Sequence, residues 1–172
     1  INNGTDDLNG LETHLKLWLD AKKINGKTNT LSDNTKVARW TDISGSANSA
    51  YQNDQEDNQP SFEASSESIQ FDGIDDNLIL GSRYIFANEA DGGKTIIVLS
   101  ESDSSNLNEG YLYYFGDQTG KDISIHFNKN LVSFSTAKDA GGIVISRNIS
   151  VTTSTLITGH VDFNNEQSLY LN

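Results

Sequence analysis

The chain has 172 residues, with 12 basic and 24 acidic side chains, so its formal charge is 12 − 24 = −12. The length suits one domain with a two-layer core. A surface this acidic repels phosphate backbones and anionic lipid, which argues against nucleic-acid and membrane-surface roles and suits divalent cations or neutral and cationic ligands.

There is no cysteine, hence no disulfide staple and no thiolate metal site. No apolar run approaches the roughly 18 residues that a membrane span needs, so no membrane insertion is expected. The chain starts Ile1-Asn2-Asn3-Gly4 and contains no methionine, and it is read as a segment of a longer protein.

In chain order, residues 1–14 read as a linker or leading segment, and residues 15–172 as one domain. Leu15, Leu17 and Leu19 alternate with Lys16, Trp18 and Asp20, which predicts a strand. "AKKINGKTNTLSDNTK" follows as a long polar excursion, and "SGSANSAYQNDQEDNQPSF" is another. Segments of that length are either functional or held by specific contacts. Asp42, Ser44 and Gly45 in "WTDISG" predict a turn capped by side chains.

"FDGIDDNL", Phe71 to Leu78, holds three carboxylates and an amide within six positions. Two readings stand. As a turn, Gly73 takes a positive φ while the Asp and Asn side chains cap local amides, Phe71 goes inward, and "NLIL" starts the next strand. As a metal site, calcium needs several hard oxygens. Asp75, Asp76 and Asn77 supply them, and Asp72 approaches from the strand end. The spacing is not that of an EF-hand.

A single helix turn or two is predicted at "YIFANEA", Tyr84 to Ala90. "TIIVLS", Thr95 to Ser100, is a continuous apolar run and predicts a strand buried on both faces. "YLYYFG", "ISIHFN", "LVSFST", "GIVISR", "TLITGHVDF" and "SLYLN" follow, separated by turn clusters. Short strands at roughly 8–12-residue spacing indicate a β-sandwich or barrel. Ile123, Ile125 and Phe127 share one face, with Ser124 and His126 on the other. Val132 and Phe134 oppose Ser133 and Ser135 in the same way. One sheet therefore has an apolar inner and a polar outer face. The polar face is either a ligand surface or simply solvated.

Enzymatic constellations are sparse. The paired carboxylates of glycoside hydrolysis have their nearest match in "ESDSSNLNE", where position 106 is Asn and the segment is a Ser/Asn-rich loop. A lyase base is hinted at only by His126 with Tyr111, Tyr113 and Tyr114 nearby in sequence.

Four stretches occur in order: "LKLWLDA", "VARWTDISGSANSAYQ", "QPSF" and "IQFDGIDDNLIL". Together they resemble the laminin-G-like, concanavalin A-type jelly-roll module of bacterial secreted and cell-surface proteins. The resemblance covers residues 15 to 80 and continues as generic strands to "LITGHVDFNNEQSLYLN". It implies an all-β, two-sheet antiparallel jelly roll in an extracellular or cell-surface setting. It also implies a non-catalytic ligand-binding or adhesion role, with carbohydrate the leading ligand and a peptide next. A polysaccharide-degrading lyase or glucanase and a structural spacer are the alternatives.

The expected ligand-binding residues are His126, Tyr113, Tyr114 and Asp117. In the related pentraxin sandwiches an Asp-Asn pair ligates calcium, and Asp76-Asn77 resembles it. Calcium is thus the one cofactor implied, on Asp75, Asp76 and Asn77. Modules of this type usually continue past "LYLN" with a glycine turn and further strands, whereas this chain stops at Asn172. A second polypeptide or fragment completing the sandwich is therefore expected.

Overall fold

The computed structural model describes residues 14–80, 93–101, 110–115, 123–128, 131–136, 143–148, 154–161 and 166–172. The chain divides into two compact units, Ile1–Ile85 and Phe86–Asn172. Among the described residues the regular structure is antiparallel β, with two 3₁₀ turns and no closed barrel. None of the described helices is long and apolar enough to cross a membrane. The leading segment, apart from His14, and the helix expected over Tyr84 to Ala90 lie outside the described residues.

The first unit uses very short strands: β1 (Arg39–Trp40), β2 (Ala50–Tyr51), β3 (Ser61–Glu63), β4 (Ser68–Gln70) and β5 (Ile79–Leu80). β2 lies between β1 and β5 in one sheet, and β3 pairs with β4. Strands of two or three residues supply few ladder hydrogen bonds, so side chains fix much of this unit. Ile24, Val37 and Phe62 form its buried core, with Leu31, Trp40 and Ile69 packed against them.

The first polar excursion is held by contacts. Asp20 accepts the Lys22 N–H at 2.9 Å and caps the 3₁₀ turn Ala21–Lys23. Asn29 accepts the Ile24 N–H at 2.9 Å and donates to the Ala21 carbonyl. Asp33 accepts the Ala64 N–H at 2.9 Å.

Asp42 is the main polar knot. Its carboxylate accepts the N–H of Trp18 at 2.9 Å, of Ser44 at 2.9 Å and of Asn48 at 2.8 Å. It also accepts the Ser44 hydroxyl at 2.9 Å. Gly45, at φ +89°, lets the chain turn within this ring of bonds. Asn48 Nδ2 donates to the Lys16 carbonyl and Ser46 Oγ to that of Leu15. The turn thereby ties the segment around Trp18 to the strand at Trp40. Burial works to raise the Asp42 carboxyl, but these four hydrogen bonds favour the anion and together hold it below the usual carboxylate range.

The second unit is sandwich-like. Its strands are β6 (Lys94–Ser100), β7 (Gly110–Phe115), β8 (Ile123–Asn128), β9 (Leu131–Thr136), β10 (Ile143–Asn148), β11 (Thr155–Val161) and β12 (Gln167–Leu171). One sheet runs β10-β9-β8-β7 and the other β12-β11-β6. Ile123, Ile125, Val132 and Phe134 of the first sheet form one buried cluster with Ile96, Ile157, Val161 and Leu169 of the second.

Gly159 on β11 belongs to this packing. A Cβ built there would overlap the ring of Phe134, which is fully buried. A residue without a side chain lets the opposing aromatic ring lie against the strand backbone.

Three expectations are corrected. Leu15 to Leu19 form no strand; an isolated bridge between Leu19 and Asp42 stands in its place. "TIIVLS" is buried on one face only: Ile96 is buried, while Ile97 and Leu99 are exposed. Alternation in this strand is set by sheet geometry even though every apolar position is filled. Phe71 is 46% exposed and does not enter the core. β4 ends at Gln70, so Phe71 no longer follows the inward alternation of Ile69; the chain bends into the acidic loop instead.

Candidate functional site

The outward face of the β7–β10 sheet is assembled by register. Tyr111 pairs with His126, His126 with Ser133, and Ser133 with Ser146. A second row runs Tyr114, Ser124, Ser135 and Val144. The register shifts between Tyr111 and Tyr113, which leaves Leu112 as an extra residue, a β-bulge. In an unbroken strand residues 111 and 114 would face opposite sides. The bulge sends Leu112 and Tyr113 together towards the core and leaves Tyr111 and Tyr114 together outside.

The result is an aromatic cluster. Tyr111 is 65% exposed and Tyr114 50%. Their ring centroids are 5.3 Å apart at an interplanar angle of 65°, edge to face. The Tyr111 and His126 rings are 5.6 Å apart and tilted by 40°. Both contacts lie in the range where aromatic pairs attract.

Beside them, cross-strand serines pair through their hydroxyls, Ser124 with Ser135 at 2.7 Å and Ser133 with Ser146 at 2.8 Å. Ser124 and Ser133 are buried although they stand on the polar face. The two outward rows hold no Asp, Glu, Lys or Arg, in a chain whose net charge is −12.

Of the residues expected to bind ligand, His126 and Tyr114 are brought together on this face. Tyr113 packs against the core, where burial pushes its hydroxyl above the ordinary tyrosine range and keeps it neutral. That removes the chemistry a tyrosine base requires. Asp117 lies outside the described residues. Tyr111 completes the cluster and was absent from the expected binding set. A strict period of two cannot place it beside Tyr114, and only the bulge does.

The acidic loop belongs to the first unit. Asp72 Oδ1 accepts the Ile74 N–H at 2.8 Å and those of Asp75 and Asp76 at 3.3 Å. In return the Asp72 N–H donates to Asp76 Oδ2 at 2.9 Å. Gly73 takes φ +74° between them. The loop therefore closes on itself, as the turn reading requires.

One ligand oxygen from each of Asp72, Asp75 and Asp76 falls within 4.8 Å of the others. Asn77 is engaged elsewhere: its Oδ1 accepts from Gln52 Nε2 at 2.9 Å and its Nδ2 donates to the Asp75 carbonyl. The Asp76 side chain is only 4% exposed, and its Oδ1 lies 3.9 Å from the Lys36 ammonium without a hydrogen bond.

The N–H of Ile74 is the main influence that holds the Asp72 carboxyl low. Burial, seconded by the charges of Asp72 and Asp75, pushes the Asp76 carboxyl up. As a calcium cage the loop offers three carboxylates, so the rest of six to eight ligands would be second carboxylate oxygens, carbonyls or water, and an ammonium 3.9 Å from Asp76 Oδ1 already offsets part of their charge.

Comparison with family models, with curated proteins and with solved structures finds no match.

Proposed function

We propose that this chain is a non-catalytic glycan-binding module of a secreted or cell-surface protein, with the connectivity of a concanavalin A-type jelly roll. The observation that carries the reading is the exposed pair Tyr111 and Tyr114 with the half-buried His126 ring against Tyr111, in two outward rows that hold no Asp, Glu, Lys or Arg. Sugars offer an apolar C–H face and a rim of hydroxyls. Aromatic rings take the first, while tyrosine and serine hydroxyls and imidazole take the second.

A hydrolase or lyase at this face lacks support. The outward rows supply an imidazole but no carboxylate beside it, and the buried Tyr113 hydroxyl stays protonated. Calcium is a subordinate part of the reading. Asp72, Asp75 and Asp76 would hold it after displacing the Lys36 ammonium, as a support for the loop.

A glycan array tests the function. Saturable retention of the wild-type chain, lost in the Tyr111→Ala/Tyr114→Ala double variant, is expected. No retention on any glycan would refute the glycan assignment and leave a peptide-binding module or a structural spacer as the alternatives.

A further inference from the structure

The angles between the rings carry the glycan reading one step further, to the class of glycan. A crystalline polysaccharide presents a flat sheet of sugar rings, and it gains from several aromatic rings only if they lie in one plane. Here the Tyr111 and Tyr114 rings stand at 65° and those of Tyr111 and His126 at 40°. A flat surface laid on any one of these rings leaves the others edge-on or tilted away.

The rings also touch one another, at 5.3 and 5.6 Å between centroids, so no slot remains between them. An aromatic cage for a quaternary ammonium needs such a slot. What remains open is the corner above Tyr111, the most exposed of the outward aromatic rings and the one in contact with both others. Those contacts fix its orientation beforehand and lower the entropy lost on binding.

Charge decides the rest. A uronate or sulfated sugar buried against this face would find no Lys or Arg in the outward rows to pair with. It would also approach a chain of net charge −12.

We infer that the Tyr111–Tyr114–His126 corner takes one pyranose of a soluble, neutral glycan, stacked on Tyr111 and flanked by the edge of Tyr114, and that it rejects crystalline and anionic polysaccharides. The inference rests on the glycan-binding reading of the same face.

The test titrates the chain with neutral gluco-, galacto- and N-acetylglucosamine-type hexaoses. In parallel it measures depletion from solution by microcrystalline cellulose and chitin, and binding to polygalacturonate. Saturable binding to a soluble neutral hexaose is expected, weakened roughly tenfold or more by Tyr111→Ala, less by Tyr114→Ala, and retained in Tyr111→Phe, which keeps the ring. The melting temperature of each variant checks that the fold is kept.

Depletion by a crystalline solid, or binding to polygalacturonate, that is lost in Tyr111→Ala would overturn this inference and leave the glycan reading standing. Hexaose binding indifferent to Tyr111→Ala would also overturn it. No binding to any of these ligands would overturn both.

Discussion

The acidic loop around Asp72 and the outward face around Tyr111 use polar side chains in opposite ways. Asp72 and Asp76 exchange hydrogen bonds across their own turn, and Lys36 answers part of the remaining charge. Two of the three carboxylates that attract attention in the sequence, those of Asp72 and Asp76, accept backbone N–H groups, while that of Asp75 is exposed. Tyr111 and Tyr114 contact each other but keep half or more of their surface open. An eye-catching cluster of charged residues is thus the less available of the two surfaces, and a plain run of aromatics is the more available.

Removing a polar knot from the first unit should have the largest effect. Asp42→Ala would leave the N–H groups of Trp18, Ser44 and Asn48 without their acceptor. Each buried donor left unpaired costs about 1–3 kcal/mol, so a loss of about 3 kcal/mol is expected in chemical denaturation. A change below about 1 kcal/mol would mean that the knot is solvated and that the contrast between the two surfaces is overstated.

Gly159→Ala tests the second unit's interior, which supports the aromatic face from behind. The added methyl meets the buried Phe134 ring, and overpacking of this kind costs about 1–3 kcal/mol. The melting temperature should drop. An unchanged value would show that the ring has room to retreat.

Asp42 and Asp76 of the first unit make a smaller and sharper test, because their carboxyls are shifted in opposite senses; Asp72, also held low, adds to the limb of Asp42. Asp42 is held below 3.8, so its contribution is present above that value and is lost as pH falls through its folded pKa. Asp76 is raised above 3.8, so its protonated form favours the fold. That contribution is present below 3.8 and is lost as pH rises through its folded pKa. Stability should therefore rise as pH falls from neutrality towards 3.8 and then fall below it. Asp76→Asn should flatten the upper limb and spare the lower one. If both limbs stay unchanged in that variant, Asp76 is not the group responsible.

Calcium should have the smallest effect. At millimolar concentration it should shift the melting temperature of the wild type little and that of Lys36→Gln more, because the competing ammonium is gone. A large wild-type shift would turn the loop from a turn into a metal site.

Local features were the most legible in the sequence. The Asp42–Ser44–Gly45 turn, the positive φ at Gly73 and the inward–outward alternation of β8 and β9 follow from residue chemistry within a few positions. Features set by where a strand stops or slips were not. Phe71 fell outside the core because β4 ends one residue before it. Tyr111 reached the outer face beside Tyr114 because of a one-residue bulge, and no composition signal marks its place. The continuous apolar run of β6 concealed that only one of its faces is covered.

The most direct measurement compares two exposed tyrosines of the second unit by isothermal titration with a soluble neutral hexaose. Tyr111 stands in the cluster at 65% exposure, and Tyr170 stands on β12 of the other sheet at 62%. Tyr111→Ala should remove most of the binding while Tyr170→Ala leaves it intact. Equal losses, or a loss confined to Tyr170→Ala, would contradict it.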